Sequence, residues 1–223
     1  PGVDRSGDAL KHGNYAGSSK YGGVLALAGD DHAAKSSTTA HQSDHAFIHF
    51  GMPILNPATV QDYIDFGLMG IAMSRYSGCW IGMKCITDTV ESAASVDISL
   101  SRFKPVLPER SIDEEDLHLQ WGYMPAMSES RLYKQRLPAA QAFAKVNSID
   151  KVIFQGHKKL AIVTTGKAYL DVRQSLDELG LDENLCSKIG ISLYKVGMVW
   201  PPEPDNIRNF VLGNEEVLVV EEK

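Results

Sequence analysis

Short apolar runs alternate along this chain with stretches of helical period, and that alternation leaves few folds open besides a parallel α/β layer. Val24 to Ala28 reads as a buried strand, turned sharply by Gly29. Residues 38–50 then carry a helical pattern, with Ala46, Phe47 and Phe50 apolar. Gly51-Met-Pro-Ile-Leu-Asn-Pro57 is a short extended segment bounded by breakers. The spacing of Val60, Tyr63, Ile64, Leu68, Ile71 and Met73 predicts a helix over 59–76 that Gly78 ends, and Cys79 to Ile86 reads as the next strand.

Residues 97–130 change character. Pro105, Pro108, Pro125 and the acidic run Asp113 to Asp116 predict an irregular surface connector, followed by one helix over 131–149. A second, smaller α/β unit follows, with strands at Leu160–Thr165, Ile191–Val196 and Glu216–Glu221. Its helices are predicted over 167–179, ending at Gly180, and over Asp205–Leu212, with Asp205 as the cap. The pattern predicts a three-stranded parallel sheet and divides the chain into 1–96, 97–150 and 151–223.

Residues 1–22 have no strand or helix period and read as an opening Gly-rich loop. The first residue is Pro1, and Lys223 follows directly on a strand, so both ends read as cut from a longer polypeptide.

Composition narrows the function. With 43% hydrophobic and 22% charged residues the chain has the make-up of a soluble globular protein. Its net charge of −6 argues against nucleic-acid or anionic-membrane binding, which needs a basic face. No apolar run approaches a membrane span and no signal pattern opens the chain. The three cysteines, Cys79, Cys85 and Cys186, form no metal-type pairing and read as reduced, buried thiols in a cytoplasmic protein. Cys79 and Cys85 would lie on one strand with side chains on the same face.

The chemistry-bearing residues gather after the first strand. Asp30, Asp31 and His32, then Ser36 and Ser37, stand where open α/β sheets bind ligands, beyond the carboxyl end of a strand. The plainer account of the two carboxylates is that they cap and turn the local backbone. His41, His45 and His49, spaced four apart, would share a helix face, but no further ligand is placed beside them, so a solvent-facing or subunit-facing role is preferred and no metal is expected. Thr164-Thr-Gly-Lys-Ala168 fails the phosphate-loop pattern. Ala161 stands where Gly is needed, and Ala168 where Ser or Thr would hold magnesium.

Taken in order, these segments resemble the thiamine-diphosphate-dependent 2-oxoacid:ferredoxin oxidoreductases, on the indolepyruvate ferredoxin oxidoreductase branch. The resemblance rests on Val24–Ala28 with Asp30-Asp31 and Ser36-Ser37, on Gly51–Pro57, on Ile162-Val-Thr-Thr-Gly-Lys-Ala-Tyr169, on Trp200-Pro-Pro-Glu203 and on Val217–Glu222. Where family members often carry Pro-Gly after the Asp pair, this chain has His32-Ala33. Where they carry Gln-Asn-Glu-Gln after the Ser pair, it has Thr38-Thr39-Ala40-His41. These departures fit the long fused bacterial form.

The resemblance implies that residues 1–96 are the later half of a pyrimidine-binding-type domain and 151–223 a transketolase carboxyl-terminal-like domain. It implies oxidative decarboxylation of an aryl-2-oxoacid with coenzyme A and ferredoxin, by a dimer in which this piece alone is inactive. Thiamine diphosphate and magnesium would be held mostly by residues outside the chain, with iron–sulfur clusters carried elsewhere. Within it, His32 and Asp31 are the candidate catalytic residues; Asp30, Ser36, Ser37, His12 and Asn14 are candidates for the substrate or cofactor cleft. His32 would offer a proton or a hydrogen bond to the oxoacid carboxylate, imidazole being the side chain suited to proton exchange around neutral pH. The alternative is a non-catalytic assembly or small-ligand binding module.

Overall fold

The computed structural model describes residues 2–109, 117–119 and 125–222. In chain order the elements are α1 (Gly2–Arg5), α2 (Gly7–Ala16), β1 (Leu25–Asp30), α3 (Asp44–Phe50), β2 (Ile54–Leu55), α4 (Val60–Ser77), β3 (Ile81–Ile86) and α5 (Thr87–Val90). After the connector come α6 (Pro125–Arg131), a π-helical turn over Leu132–Arg136 and α7 (Leu137–Val146). The last part holds β4 (Lys151–Phe154), β5 (Leu160–Thr165), α8 (Gly166–Glu178), α9 (Glu183–Ile189), β6 (Ile191–Val196), β7 (Met198–Trp200), α10 (Pro204–Val211) and β8 (Glu216–Val220).

Two sheets result. The first has the order β1-β3-β2-β7, with β1, β3 and β2 parallel and β7 antiparallel to β2. The second has the order β4-β6-β5-β8, parallel except for β4. Parallel sheets are usually covered on both faces, and both sheets here carry helices on each face, although the edge strand β8 stays largely exposed. Phe66 and Met73 of α4 and Ala140 and Phe143 of α7 pack against Leu55, Ile81 and Met83 on one side of the first, while Phe47 and Phe50 of α3 cover the other. In the second, Leu176 of α8 and Cys186 of α9 meet Ile162 and Leu193 on one face, and Phe210 of α10 meets Val163 and Tyr194 on the opposite one.

Local chemistry explains why these helices start and stop. Thr59 and Asp62 form a reciprocal capping box at the start of α4, and Gly78 takes the left-handed conformation at its end. Gly70 lets α4 approach the sheet, since a Cβ there would stand 2.9 Å from the Leu25 side chain.

Several expectations are corrected. Residues 2–16 are helical, held by contacts from distant parts of the chain. The helix predicted over 38–50 begins only at Asp44, because the residues before it wrap around Asp30 and Asp31. The helix predicted over 131–149 starts at Pro125 and ends at Val146. The second sheet has four strands, gaining antiparallel β4. α9 was not predicted, although Asp182 caps it by accepting from the Leu185 N–H at 2.7 Å and left-handed Gly190 closes it. The α10 cap is Glu203, which accepts from the Asp205 and Asn206 amides, so Asp205 lies inside the first turn. Cys79 lies ahead of β3, and burial pushes its thiol up to about 12, while Cys85 is only half-buried. The acidic run Asp113 to Asp116 lies outside the described residues.

Candidate functional site

The carboxyl ends of the two parallel sheets converge on one small pocket. His32 stands just past β1, Asn56 directly follows β2, Ile86 ends β3, Thr165 ends β5, and Glu221 and Glu222 follow β8. Asp44, Lys84, Lys167 and Val199 complete the lining of a pocket of about 40 Å³, room for a water molecule or little more. Ligands of open α/β sheets sit beyond carboxyl strand ends, and here two sheets supply those ends to one point.

The pocket is lined by paired charges. Lys84 Nζ lies 2.7 Å from Asp44 Oδ2, both groups largely buried, and Lys167 Nζ lies 2.7 Å from Asp171 Oδ2. His32, with only 3% of its side chain exposed, brings Nδ1 within 3.3 Å of Glu222 Oε2, joining the end of β1 to the end of β8. The Asn56 amide donates to Thr165 Oγ1 at 3.1 Å, and Thr165 donates in turn to the Val196 carbonyl at 2.8 Å. Asn56 Oδ1 is buried and has no hydrogen-bond partner among the described residues. Gly166 opens α8 at φ +51°, and a Cβ there would stand 2.6 Å from the Asn56 amide nitrogen, so glycine permits this close approach.

Asp30 and Asp31 organise the loop between β1 and α3. Asp30 is buried; its Oδ2 accepts from the Ser43 amide at 3.1 Å and hydroxyl at 2.8 Å, and its Oδ1 lies 3.1 Å from His41 Nδ1. Asp31 accepts backbone N–H groups from Ser36, Lys35 and Ser37 at 2.8, 2.8 and 2.9 Å, and these bonds hold its carboxyl down at about 2. Ser36 Oγ is 3.4 Å from Asp31 Oδ2. Lys35 pairs with Asp88 at the start of α5.

Asp31 makes a pH-dependent contribution of definite sign. A carboxyl whose folded pKa is depressed stabilises the fold above its unfolded pKa, and that stabilisation is lost as pH falls through the folded value. The side-chain carboxyl carbon of Asp31 should therefore titrate near pH 2 in a ¹³C NMR series, with the Ser36 amide shift moving in parallel. A midpoint near 4 would show that the loop is not closed on Asp31.

The other sequence candidates lie elsewhere. His12 is exposed on α2, a helix and not the loop expected there, 3.5 Å from Asp8 Oδ1. Asn14 is buried on the same helix and fully engaged. Its amide donates to the Phe50 and Gly51 carbonyls, each at 2.8 Å, and its oxygen accepts from the Trp80 N–H at 2.8 Å. His41 lies outside α3, so the three histidines share no helix face, and among the described residues no group of three His, Cys, Asp or Glu side chains could hold a metal ion. No helix among the described residues is long and apolar enough to cross a membrane. The sequence reading missed Lys84, Asp44, Asn56, Lys167 and Glu222. One local signal was available: Lys84 is a lysine inside an otherwise apolar strand.

The arrangement of the two sheets has a counterpart among solved structures. It is that of a 2-oxoglutarate:ferredoxin oxidoreductase from Magnetococcus marinus, a structure with 2-oxoglutarate, coenzyme A and succinyl-CoA bound. The likeness has a TM-score of 0.58 at 13% identity and covers 97% of this chain and 48% of that one. Residues 149–223 match the indolepyruvate ferredoxin oxidoreductase middle domain. Over 99% of its length the chain is 22% identical to an indolepyruvate oxidoreductase subunit IorA of Methanothermobacter thermautotrophicus, and over 90% it is 22% identical to that of Methanothermobacter marburgensis. Residues 149–223 are thus similar to that middle domain, and the chain along nearly its whole length is similar to these oxidoreductase subunits. It spans about a third of the length of these curated relatives, 34% and 31%.

Proposed function

We propose that this chain forms part of an indolepyruvate-type 2-oxoacid:ferredoxin oxidoreductase, in which an aryl-2-oxoacid is oxidatively decarboxylated with coenzyme A and the electrons pass to ferredoxin. The observation that carries the reading is the junction pocket. The unit that matches the family's middle domain closes its strand ends, through Glu222 and Thr165, onto His32 and Asn56 of the preceding unit. The reading assigns the chain no activity by itself, and an antibody against this segment should detect a native product far larger than the chain. A native product of this chain's own size would sink that part of the reading.

The residues described do not fit thiamine diphosphate. The junction pocket is of water size, its lysines Lys84 and Lys167 are already paired with carboxylates, and no acidic cluster suits magnesium. The reading therefore assigns that cofactor to residues outside this chain, with iron–sulfur clusters carried elsewhere and ferredoxin and further subunits as partners. Full-length protein should bind thiamine diphosphate while this chain alone does not.

Within that assembly His32 is assigned the role of donating a proton or hydrogen bond to the oxoacid carboxylate, with Glu222 fixing the imidazole. Asp31, Ser36 and Ser37 shape the loop that carries it, and Asp30 anchors the loop's far end. Replacing His32 with Ala in the full-length enzyme should lower kcat by about tenfold or more, the low end for a general acid or a close substitute, with the melting temperature held. Unchanged turnover would remove His32 from the mechanism.

A further inference from the structure

Away from the junction, the connector after α5 is strapped across the outer face of α4. One end of the strap is fixed by Gln61, which donates to the Asp97 carbonyl at 3.2 Å and accepts from the Asp97 amide at 2.8 Å. At the other end, Asn147 accepts from the Val106 N–H at 2.7 Å and donates to the Val106 carbonyl at 2.8 Å. Between these two anchors lies a cavity of about 380 Å³. With both ends of the strap hydrogen-bonded, the cavity is formed before a ligand arrives, as small-molecule sites usually are. An apolar cavity of about 150 Å³ holds benzene, so this one has room for a ring with a short chain.

The polar groups at the mouth are matched among themselves. Asp65 and Asp97 stand there with Arg102 and Lys151, two carboxylates to two cations, so the mouth presents no net charge. Arg102 pairs with Asp65 at 2.8 Å and with Asp97 at 3.6 Å. The second Asp65 oxygen accepts from the Gln61 amide at 2.9 Å, and that of Asp97 from the Ser99 N–H at 2.8 Å. The walls, by contrast, are apolar and partly open to water. Ile64, Leu68 and Met69 of α4 and Ile98 and Phe103 of the strap line them. Ile98 is 78% exposed and Leu68 44%, so a molecule seated between them would remove apolar surface from water, a favourable step.

We propose that this cavity is a binding site for a small uncharged compound with an apolar ring, selected by apolar contact alone. Its ring lies against Met69, Phe103 and Ile98, with any polar end left in water at the mouth. A charged end of either sign meets repulsion as well as attraction there and gives up hydration, so it adds nothing to binding. The site shares no residue with the junction pocket, so it stands independently of the functional reading above. A ligand there would join α4 to residues 148–151, which lead into the second sheet.

The test uses the whole chain labelled with ¹³C-methyl methionine, the Met69 signal being identified by its loss in Met69→Leu. Three compounds with one body and different ends are titrated: 3-phenylpropan-1-ol, 3-phenylpropionate and 3-phenylpropylammonium. The alcohol should shift Met69 saturably with a Kd on the order of millimolar, as suits so small a ligand. Neither charged compound should bind more tightly than the alcohol, and added sodium chloride should not weaken the alcohol. Leu68→Trp, which fills the cavity from a partly exposed helix position, should abolish binding. Ile98→Ser, a change at an exposed site that leaves the fold intact, should weaken the alcohol by about threefold through lost apolar contact. The proposal is overturned if the alcohol fails to saturate Met69, if either charged compound binds more tightly than it does, or if Ile98→Ser binds it unweakened.

Discussion

Replacing Arg136 with methionine should destabilise the protein by about 3–5 kcal/mol, the range for disrupting a buried, hydrogen-bonded charge and leaving its partners orphaned. The Arg136 side chain is fully buried at the π-helical turn between α6 and α7. Its Nε donates to the Leu117 carbonyl at 2.6 Å, Nη1 to the Asn14 and Tyr15 carbonyls at 3.2 and 3.0 Å, and Nη2 to the Ala16 and His118 carbonyls at 3.1 and 3.3 Å. Three of those acceptors are the last carbonyls of α2, groups that a helix cannot satisfy internally. The guanidinium thus acts as a cap supplied from more than a hundred residues away.

Methionine fills much of the volume and donates nothing, so three helix-end carbonyls and two from residues 117–118 would be buried without partners. Lysine keeps the charge but lacks the planar fork, and should recover only part of the loss. Gly17 belongs to the same device: it sits at φ +99°, and a Cβ there would stand 2.4 Å from Nη2, so Gly17→Ala should be destabilising too. Urea unfolding followed by circular dichroism reads these effects as a lower midpoint. An Arg136→Met midpoint equal to wild type would mean that α2 is held by something else.

That dependence explains why α2 was illegible in the sequence. Gly7, Gly13 and a polar composition give Gly7–Ala16 little helical signal, and what fixes the helix is Arg136 on one side and Asn14 binding Phe50, Gly51 and Trp80 on the other. By contrast β1, β3, β5, β6 and β8 were legible because each is a run of apolar residues cut off by glycine or charge, and α4 because period, capping box and terminal glycine agree. β7 is three residues long and owes its existence to pairing with β2, roughly 140 residues earlier, so no local pattern announces it.

The candidate site divides in the same way. Asp30, Asp31 and His32 could be picked out because polar residues at the end of an apolar strand have a topological meaning. Asn56, Lys84, Thr165 and Glu222 reach the same pocket from four other strands, and their convergence is a property of strand order. Spacing along the chain carries no record of it.

The second large effect should come from Lys195→Met. Lys195 lies on β6 of the second sheet, and its Nζ meets Oδ2 of Asp62, on α4 of the first unit, at 2.5 Å, with both side chains buried. The ammonium also sits 5.0 Å from the centre of the Tyr169 ring and 6.0 Å from that of Phe66. Burial pulls the Lys195 pKa down. Burial alone would raise Asp62, but the facing ammonium and the Ala58 and Thr59 amides outweigh it and hold the carboxyl below the usual carboxylate range. Lys195→Met leaves a buried carboxylate whose remaining partners are the amides at the start of α4, and a cost of about 3–5 kcal/mol follows.

Asp62→Ala should cost at least as much, since it strands the ammonium and removes the capping box together. Changing both residues should cost less than the sum of the single changes, with a coupling of about 1–3 kcal/mol in a double-mutant cycle. The acid limb carries the same signature. Asp62, with its folded pKa depressed, stabilises the protein above its unfolded pKa and loses that contribution as pH falls through the folded one. In Lys195→Met the carboxyl loses the charge that holds it down, so the variant should show a flatter fall in stability on acidification than wild type. Additive single effects with an unchanged acid limb would mean that the pair contributes nothing across the two units, and that β7 and the apolar contacts alone keep the sheets in register with one another.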